Sequence, residues 1–224
     1  NFKRVYYVTF ETNTSETIPY QLKYEGIPLT LTSTQPTKIG YTFSKWNTKS
    51  DGTGVNYTSG SSYTADEDKK LYALYTLDTY NITYVLDGGT NDSNNPSTYT
   101  YEDSDITLGD ATKTGYTFKG WTGNGTTTPT KNLVLPHNST GNKTFTANFT
   151  ANTYTINYTM NGGNNPSTKP TSGTYDADVV ISNPTKTVTI TPNANNTGAS
   201  IGNVASANQT FAGWTSTTLG NNAK

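Results

Sequence analysis

The chain has 224 residues, of which 31% are hydrophobic and 14% charged, and its formal net charge is −1. With 15 basic and 16 acidic residues and no basic stripe, it lacks the electrostatic attraction that nucleic-acid binding requires. It has no cysteine and one histidine, which excludes disulfides and cysteine-ligated metal sites. No run approaches the roughly 20 apolar residues of a membrane span, so no membrane insertion is expected.

The first predicted elements are alternating strands that recur along the chain. Three such strands, with last residues 74 positions apart, are "YYVTF" (6–10), "YNITY" (80–84) and "YTINY" (154–158). The second and third are followed by "DGGTNDSNNPST" (87–98) and "NGGNNPST" (161–168). Their Gly-Gly pairs supply the positive φ of tight turns. With few helix formers and many Thr, Tyr, Asn and Gly residues, the chain is predicted to be nearly all β.

The elements that follow also recur. A tyrosine, an acid, a short turn and an apolar strand are predicted at "YEGIPLTL" (24–31), "YEDSDITL" (101–108) and "YDADVVI" (175–181). A Gly-Tyr-Thr-Phe phrase that ends on tryptophan follows at "KIGYTFSKW" (38–46) and "KTGYTFKGW" (113–121), and a shorter "TFAGW" occupies 210–214. Closing strands are predicted at "LYALY" (71–75) and "FTANF" (145–149).

These periods divide the chain into three tandem units, 1–78, 79–151 and 152–224. Only four residues separate Tyr75 from Tyr80, and Phe149 from Tyr154, which predicts a restricted orientation between neighbours. The third unit has 39 residues from its tyrosine to its tryptophan, against 22 and 20 in the others, so an insertion is predicted within 187–210. Its closing strand is absent, and the start at Asn1 indicates a segment of a longer chain.

The three tryptophans are predicted to anchor the cores of these units. A β unit of about 74 residues buries a small core, which one Trp and one Phe would dominate. In the second unit, Gly120 could form a bulge or bend that turns Trp121 inward. A stacking platform for a sugar is the alternative role. The predicted anchors are Trp46, Trp121, Trp214, Phe43, Phe118 and Phe211.

Taken together, the Gly-Gly turn, the Tyr-acid pair, "PTKxGYTFxxW" and the closing "LxAx[YF]" resemble the Listeria–Bacteroides repeat, also called the internalin B-type repeat. The resemblance implies tandem repeats on bacterial surface proteins, a small β-grasp-like fold that is all-β to α+β, and an elongated rod. Repeat one differs at Lys45, where the family usually has glycine, and lacks Gly-Gly in "ETNTSET". The family's short helix has weak support in residues 47–68 and 122–142.

The residues offer little catalytic chemistry. His137 lies between proline and "NST", which predicts a loop, and no cysteine can join it in a zinc site. The carboxylates Asp103/Asp105 and Asp66/Glu67/Asp68 lie in predicted turns without a cleft. Neither an enzyme nor a cofactor is expected.

Two polar segments are weaker candidates for binding. Asp87, Asn91, Asp92 and Asn94 could supply oxygen ligands for calcium, but the EF-hand spacing is missing, and a polar turn is the simpler interpretation. The insertion is the second, because insertions on repeat scaffolds can carry function, although a tolerated surface loop fits as well. Its candidate residues are Asn193, Asn195, Asn196, Asn203 and Asn208.

The sequence therefore predicts a non-catalytic stalk or adhesion segment of a bacterial surface protein, extracellular and anchored to the cell surface. The expected partners are a host or cell-surface glycan or protein and neighbouring domains of a longer chain. Two alternatives are a carbohydrate-binding module with exposed Tyr and Trp, and a self-assembling fibre or sheath protein whose Thr- and Asn-rich edges are poorly protected.

Overall fold

A computed structural model describes residues 2–186 of the chain. The chain forms two compact units, one made of 1–113 with 118–148 and the other of 114–117 with 149–224. Within residues 2–186 all regular structure is β, and the stretches where the family resemblance implied a helix contain turns and short strands. This residue range accordingly holds no helix long enough to cross a membrane.

The first repeat folds around a five-stranded sheet in the order β2-β1-β7-β4-β5. Its strands are β1 (Val5–Glu11), β2 (Gln21–Tyr24), β4 (Tyr41–Asn47), β5 (Asn56–Tyr57) and β7 (Lys69–Leu77). β1 and β7 are parallel, with Val8 opposite Lys69, and the other neighbours are antiparallel. A small second sheet pairs β3 (Leu29–Thr30) with β6 (Ser62–Tyr63).

The second repeat uses the same strand order, β9-β8-β14-β11-β12. Its strands are β8 (Thr79–Val85), β9 (Thr98–Thr100), β11 (Tyr116–Gly123), β12 (Thr126–Thr130) and β14 (Lys143–Ala151). The parallel pair places Ile82 opposite Lys143, which is the register of the first repeat moved by 74 residues. β10 (Ile106–Thr107) and β13 (Val134–Leu135) form the small second sheet.

The second unit contains a short antiparallel pair, β15 (Thr153–Thr155) and β16 (Ser172–Thr174). An isolated bridge joins Asn164 to Thr185. The insertion within 187–210, its five asparagines, Phe211, Trp214 and the absent closing strand lie outside the described residues.

A bulge in β4 places Phe43 and Trp46 on the same side of the sheet. Phe43 lies opposite Tyr75 and Lys45 opposite Leu74, so Ser44 is an extra residue in the pairing. The Phe43 and Trp46 rings therefore meet, with centroids 5.2 Å apart, although strict alternation would put residues three apart on opposite faces.

The second repeat makes the same Phe–Trp contact with a different backbone. Phe118 and Trp121 have ring centroids 5.4 Å apart, and the pairing of β11 with β12 is irregular between Trp121 and Gly123. Gly120 has φ of 137° and lies against the backbone of Thr130, where any side chain would overlap it. The first repeat has Lys45 in the corresponding place, so the glycine serves the close approach of β12 and not the tryptophan itself.

One sequence equivalence was wrong by a residue. In the second repeat the turn runs from Thr100 to Asp103, with Tyr101 at its second position. In the first repeat the hydrogen bond from Ile27 to Tyr24 closes a turn whose second position is Glu25. Tyr24 is instead the last residue of β2, because the connection to the next strand is one residue shorter.

Candidate interaction surface

The described tryptophan anchors lie at the centres of the first two repeats. Trp46 and Trp121 are completely buried, Phe118 is nearly so, and Phe43 packs against the core from a partly buried position. Phe10 and Tyr84, on the parallel central strands, meet the two tryptophans edge to face at 4.9 and 5.5 Å. Neither tryptophan is exposed to stack on a sugar.

The titratable side chains that were weighed for catalysis hold turns together. Asp105 accepts a hydrogen bond from the His137 N–H at 2.7 Å, and Asp103 accepts one from the Thr100 N–H at 2.7 Å. These residues are exposed, as the sequence predicted for residues in turns. Within residues 2–186 no group of three or more His, Cys, Asp or Glu side chains is arranged to hold a metal ion.

The segment weighed for calcium forms a polar turn. Asp87 and Gly88 both have positive φ, 46° and 78°, between a hydrogen-bonded Leu86 and Gly89. Asp87 pairs with the Lys113 ammonium at 3.2 Å. Asp92 accepts the N–H of Asn94 within its own loop at 2.8 Å. The oxygens therefore have partners in the protein and do not converge on a common point.

A cleft of about 870 Å³ lies where the first two repeats meet. Its wall includes Glu16, whose pKa is lowered by hydrogen bonds from the Thr37 hydroxyl and N–H. Its floor includes Tyr41, whose hydroxyl donates to Glu102, and this bond raises the pKa of Tyr41. The charged groups of the cleft are thus already bonded to neighbours.

The most distinctive exposed surface is the outer face of β1 and β2 in the first repeat. Alternation along the two antiparallel strands places their exposed apolar side chains together, since Val5 lies opposite Tyr24 and Tyr7 opposite Leu22. Tyr20 precedes β2, and its ring meets that of Tyr7 at 5.3 Å. We call Val5, Tyr7, Tyr20, Leu22 and Tyr24 the aromatic face; its three tyrosines are 50, 59 and 46% exposed.

The other repeats carry small polar residues at the same paired positions. The second has Thr79 opposite Thr100 and Asn81 opposite Thr98. The second unit likewise pairs only Thr and Ser, at Thr153, Thr155, Ser172 and Thr174. A solvent-facing strand surface needs no aromatic residues, and contiguous exposed apolar residues commonly mark interaction sites. The aromatic face is therefore a property of the first repeat and not of the scaffold.

The side of β2 that faces the interior holds a buried ion pair. Lys23 is fully buried, and its ammonium contacts the Asp66 carboxylate and donates to the Tyr24 carbonyl at 2.8 Å. The hydrogen bond from Lys23, followed by one from the Gly26 N–H, lowers the pKa of Asp66. This pair fixes β2, and with it the aromatic face, to the turn before β7.

Sequence reasoning missed the aromatic face because the search compared repeats for likeness. The signal is present in the letters: "VYY" and "LKY" in the first repeat stand where the second has "TYN" and "TYT". Reading the strands for differences, once their pairing is known, finds it directly.

Comparison with known proteins agrees with the repeated architecture. The model of the Listeria–Bacteroides repeat domain matches residues 6–74 and 80–148, which is more than half of the chain. The chain belongs to the Listeria–Bacteroides repeat family. The resemblance inferred from the sequence motifs is confirmed, and the family is a repeat domain of bacterial surface proteins.

Two curated relatives are similar to parts of this repeat protein. Internalin H of Listeria monocytogenes is 35% identical over 88 residues, which are 39% of this chain and 15% of the relative. A protein of Evansella cellulosilytica, described as a Gly-rich membrane protein, is 33% identical over 85 residues, 38% of this chain and 10% of the relative. The chain thus spans less than one sixth of the length of either relative.

Proposed function

We propose that this chain is a non-catalytic stalk and adhesion segment of an extracellular, cell-surface-anchored bacterial protein. The repeats supply a stable scaffold, and the aromatic face of the first repeat supplies the adhesive surface. Membership of a repeat family of surface proteins and the kinship with an internalin support the location.

A single observation carries the adhesive role. The first two repeats preserve their buried residues, with Trp46 and Trp121 in matching places, yet differ on the outer face of the first two strands. Tyrosine is favoured at binding surfaces because it contributes a large apolar ring and a hydroxyl at low entropic cost. Conservation of the core with a changed surface is the pattern of a scaffold with one specialised member.

We further propose that each repeat is a β-grasp-like unit and that the units form an elongated array. A parallel central pair flanked by antiparallel strands supports the first point. Linkers of four residues between the predicted units support the second. Small-angle scattering of the whole chain should give a radius of gyration well above the roughly 17 Å of a compact chain of this length. A value near that figure contradicts the array.

The adhesive role is tested by giving the first repeat the face of the second. The variant Val5→Thr, Tyr7→Asn, Leu22→Thr and Tyr24→Thr keeps strand-compatible residues, so folding should be preserved. Val55→Thr removes an exposed apolar side chain elsewhere in the same repeat and is the matched control. Beads coated with each protein are applied to a glycan array and to cultured-cell surfaces.

The four-residue variant should lose binding that the wild type and Val55→Thr retain, with circular dichroism and melting unchanged. Binding that survives the change rejects the aromatic face as the adhesive surface. Retention limited to glycan spots in the wild type would favour the carbohydrate-binding alternative, which the exposed tyrosines also suit.

A further inference from the structure

The first half of the Gly-Tyr-Thr-Phe phrase has a separate set of contacts from the second half. Phe43 and Trp46 enter the core, whereas Gly40 and Tyr41 face the second repeat. Gly40 has φ of 77°, and a methyl group on it would overlap the side chain of Tyr101. Glycine is thus required twice here, for the backbone conformation and for the close approach of a ring.

Tyr41 adds a polar contact to the same neighbour. Its hydroxyl donates a hydrogen bond to the Glu102 carboxylate, and its ring lies 6.4 Å from that of Tyr101. The Lys38 ammonium lies over the other side of the Tyr41 ring, 3.8 Å from its centroid. The ring is therefore held on one side by its own repeat while it contacts the next.

The connection between the two repeats takes part as well. Asp78 is the single residue between β7 and β8. Its N–H donates to the Gly40 carbonyl at 3.0 Å, and its carboxylate accepts a hydrogen bond from the Thr42 hydroxyl at 2.6 Å. Both contacts tie the connecting residue back to the Gly-Tyr-Thr turn, so the linker has little freedom of its own.

The same contacts recur within the second unit. Gly115 has φ of 79°, and a methyl group on it would overlap the ring of Tyr175. The Tyr116 hydroxyl donates to the Asp176 carboxylate at 2.7 Å, and its ring lies 5.5 Å from that of Tyr175.

The connecting residue behaves alike in the second unit. The Asn152 N–H donates to the Gly115 carbonyl at 2.9 Å, and the Thr117 hydroxyl contacts the Asn152 side-chain oxygen at 2.5 Å. Asn152 thus takes the place of Asp78, as Asp176 takes that of Glu102. A glycine, a tyrosine, a threonine, an Asp or Asn connector and a Tyr-acid turn therefore form one recurring set.

We propose that this set is a joint: the Gly-Tyr-Thr turn of one repeat is the docking surface for the Tyr-acid turn of the repeat that follows, and it fixes their mutual orientation. The partner is defined chemically as a turn with tyrosine at its second position and an acid at its third. The proposal is independent of whether the aromatic face binds a ligand.

The joint also explains where its signature is missing. The first repeat has Glu25 at the second turn position, and so offers no ring to a Gly-Tyr turn. The third repeat's phrase, "TFAGW", has no Gly-Tyr before it. Repeats can therefore share a core sequence and still differ in whether they dock on a neighbour.

The test measures orientation in the full chain. Because the protein has no cysteine, Thr58→Cys and Thr127→Cys place one spin label on each of the first two repeats. Gly40→Ala is compared with Gly60→Ala, which has the same positive φ, 76°, in the same repeat but open space around it. Double electron–electron resonance reports the distance distribution between the labels.

A single narrow distance is expected for the unsubstituted pair and for Gly60→Ala, with loss of the narrow peak in Gly40→Ala and in Tyr101→Ala. Melting of Gly40→Ala provides a second measurement. In a Tyr101→Ala background its effect should shrink to that of Gly60→Ala, because only the backbone cost remains. An unchanged narrow peak in Tyr101→Ala, or a Gly40→Ala effect that Tyr101→Ala does not reduce, overturns the joint.

Discussion

The first and second repeats reach the same core through different polar solutions. Where β2 of the first repeat buries Lys23 against Asp66, β9 of the second places Tyr99, whose hydroxyl donates to the Gly141 carbonyl at 2.5 Å. Where β6 has Tyr63, β13 has Leu135. Polar groups at the margin of a core change together with their partners, while the aromatic centre stays constant.

The tryptophans show the limit of that constancy. The Trp121 indole N–H donates to the Gly109 carbonyl at 2.9 Å. The Trp46 indole N–H is buried, and within residues 2–186 it has no hydrogen-bond partner. Because a buried hydrogen bond contributes about 1 kcal/mol net, the two anchors should differ in cost when they are replaced.

Replacement of Trp121 by alanine is expected to have the largest effect. Loss of a large aromatic core residue costs about 3–5 kcal/mol, comparable to the whole stability of a unit this small. Urea unfolding should show the second repeat unfolded and the first retained. Trp121→Phe should cost about 1 kcal/mol more than Trp46→Phe, because only the former loses a hydrogen bond. Equal costs contradict the contrast between the anchors.

Removal of Asp66 should follow in size. Asp66→Ala leaves the Lys23 ammonium buried without its carboxylate, a change that costs up to about 3 kcal/mol because Asp66 is partly exposed and water can replace part of it. Lys23→Met fills the same space without charge and should be close to neutral. Thermal melting of both variants checks this. A Lys23→Met loss as large as that of Asp66→Ala would show that the pair itself stabilises the repeat.

The same pair gives a dependence on acid. The folded pKa of Asp66 is below its unfolded value, so the stabilisation is present above about pH 4 and is lost as pH falls through the folded pKa. Stability curves of wild type and Asp66→Ala should therefore converge toward low pH. Parallel curves down to pH 2 are the contrary result.

Substitution of Tyr63 by phenylalanine should have the smallest effect. The Tyr63 hydroxyl is buried and, among residues 2–186, has no hydrogen-bond partner, while the second repeat has leucine there. Its removal should leave stability unchanged or raise it by up to about 1 kcal/mol.

Burial also raises the pKa of Tyr63 to about 12, so wild type should lose stability as pH rises from 10 to 12, and Tyr63→Phe should lose less. Chemical unfolding at pH 7 and pH 11 measures both. A loss above 1 kcal/mol at pH 7 means that the hydroxyl has a partner.

The sequence predicted the strands and placed Trp46 and Trp121 inside, because large aromatic residues after alternating strands have few other places to go. It could not predict the burial of Lys23, since a lysine in a strand indicates a solvent-facing position unless its partner is known. That partner, Asp66, lies 43 residues later in a segment interpreted as a solvated turn.

The sequence also could not predict the joint or the aromatic face. The role of Gly40 depends on Tyr101, 61 positions away, and the equivalence of Tyr24 and Tyr101 failed because one turn is a residue shorter. The aromatic face depends on which residues of β1 and β2 are opposite each other. Register is set by turns and by burial of one face, and neither is written in a single segment.

Transfer of the aromatic face tests most directly the claim that a common scaffold carries a surface specific to the first repeat. Thr79→Val, Asn81→Tyr, Thr98→Leu and Thr100→Tyr are combined with the four reverse changes in the first repeat, and bead binding to cultured-cell surfaces is measured. Binding should be lost with the reverse changes alone and recovered when the second repeat carries the face. Binding that persists in the reverse variant, or that never returns on the second repeat while both repeats melt normally, contradicts it.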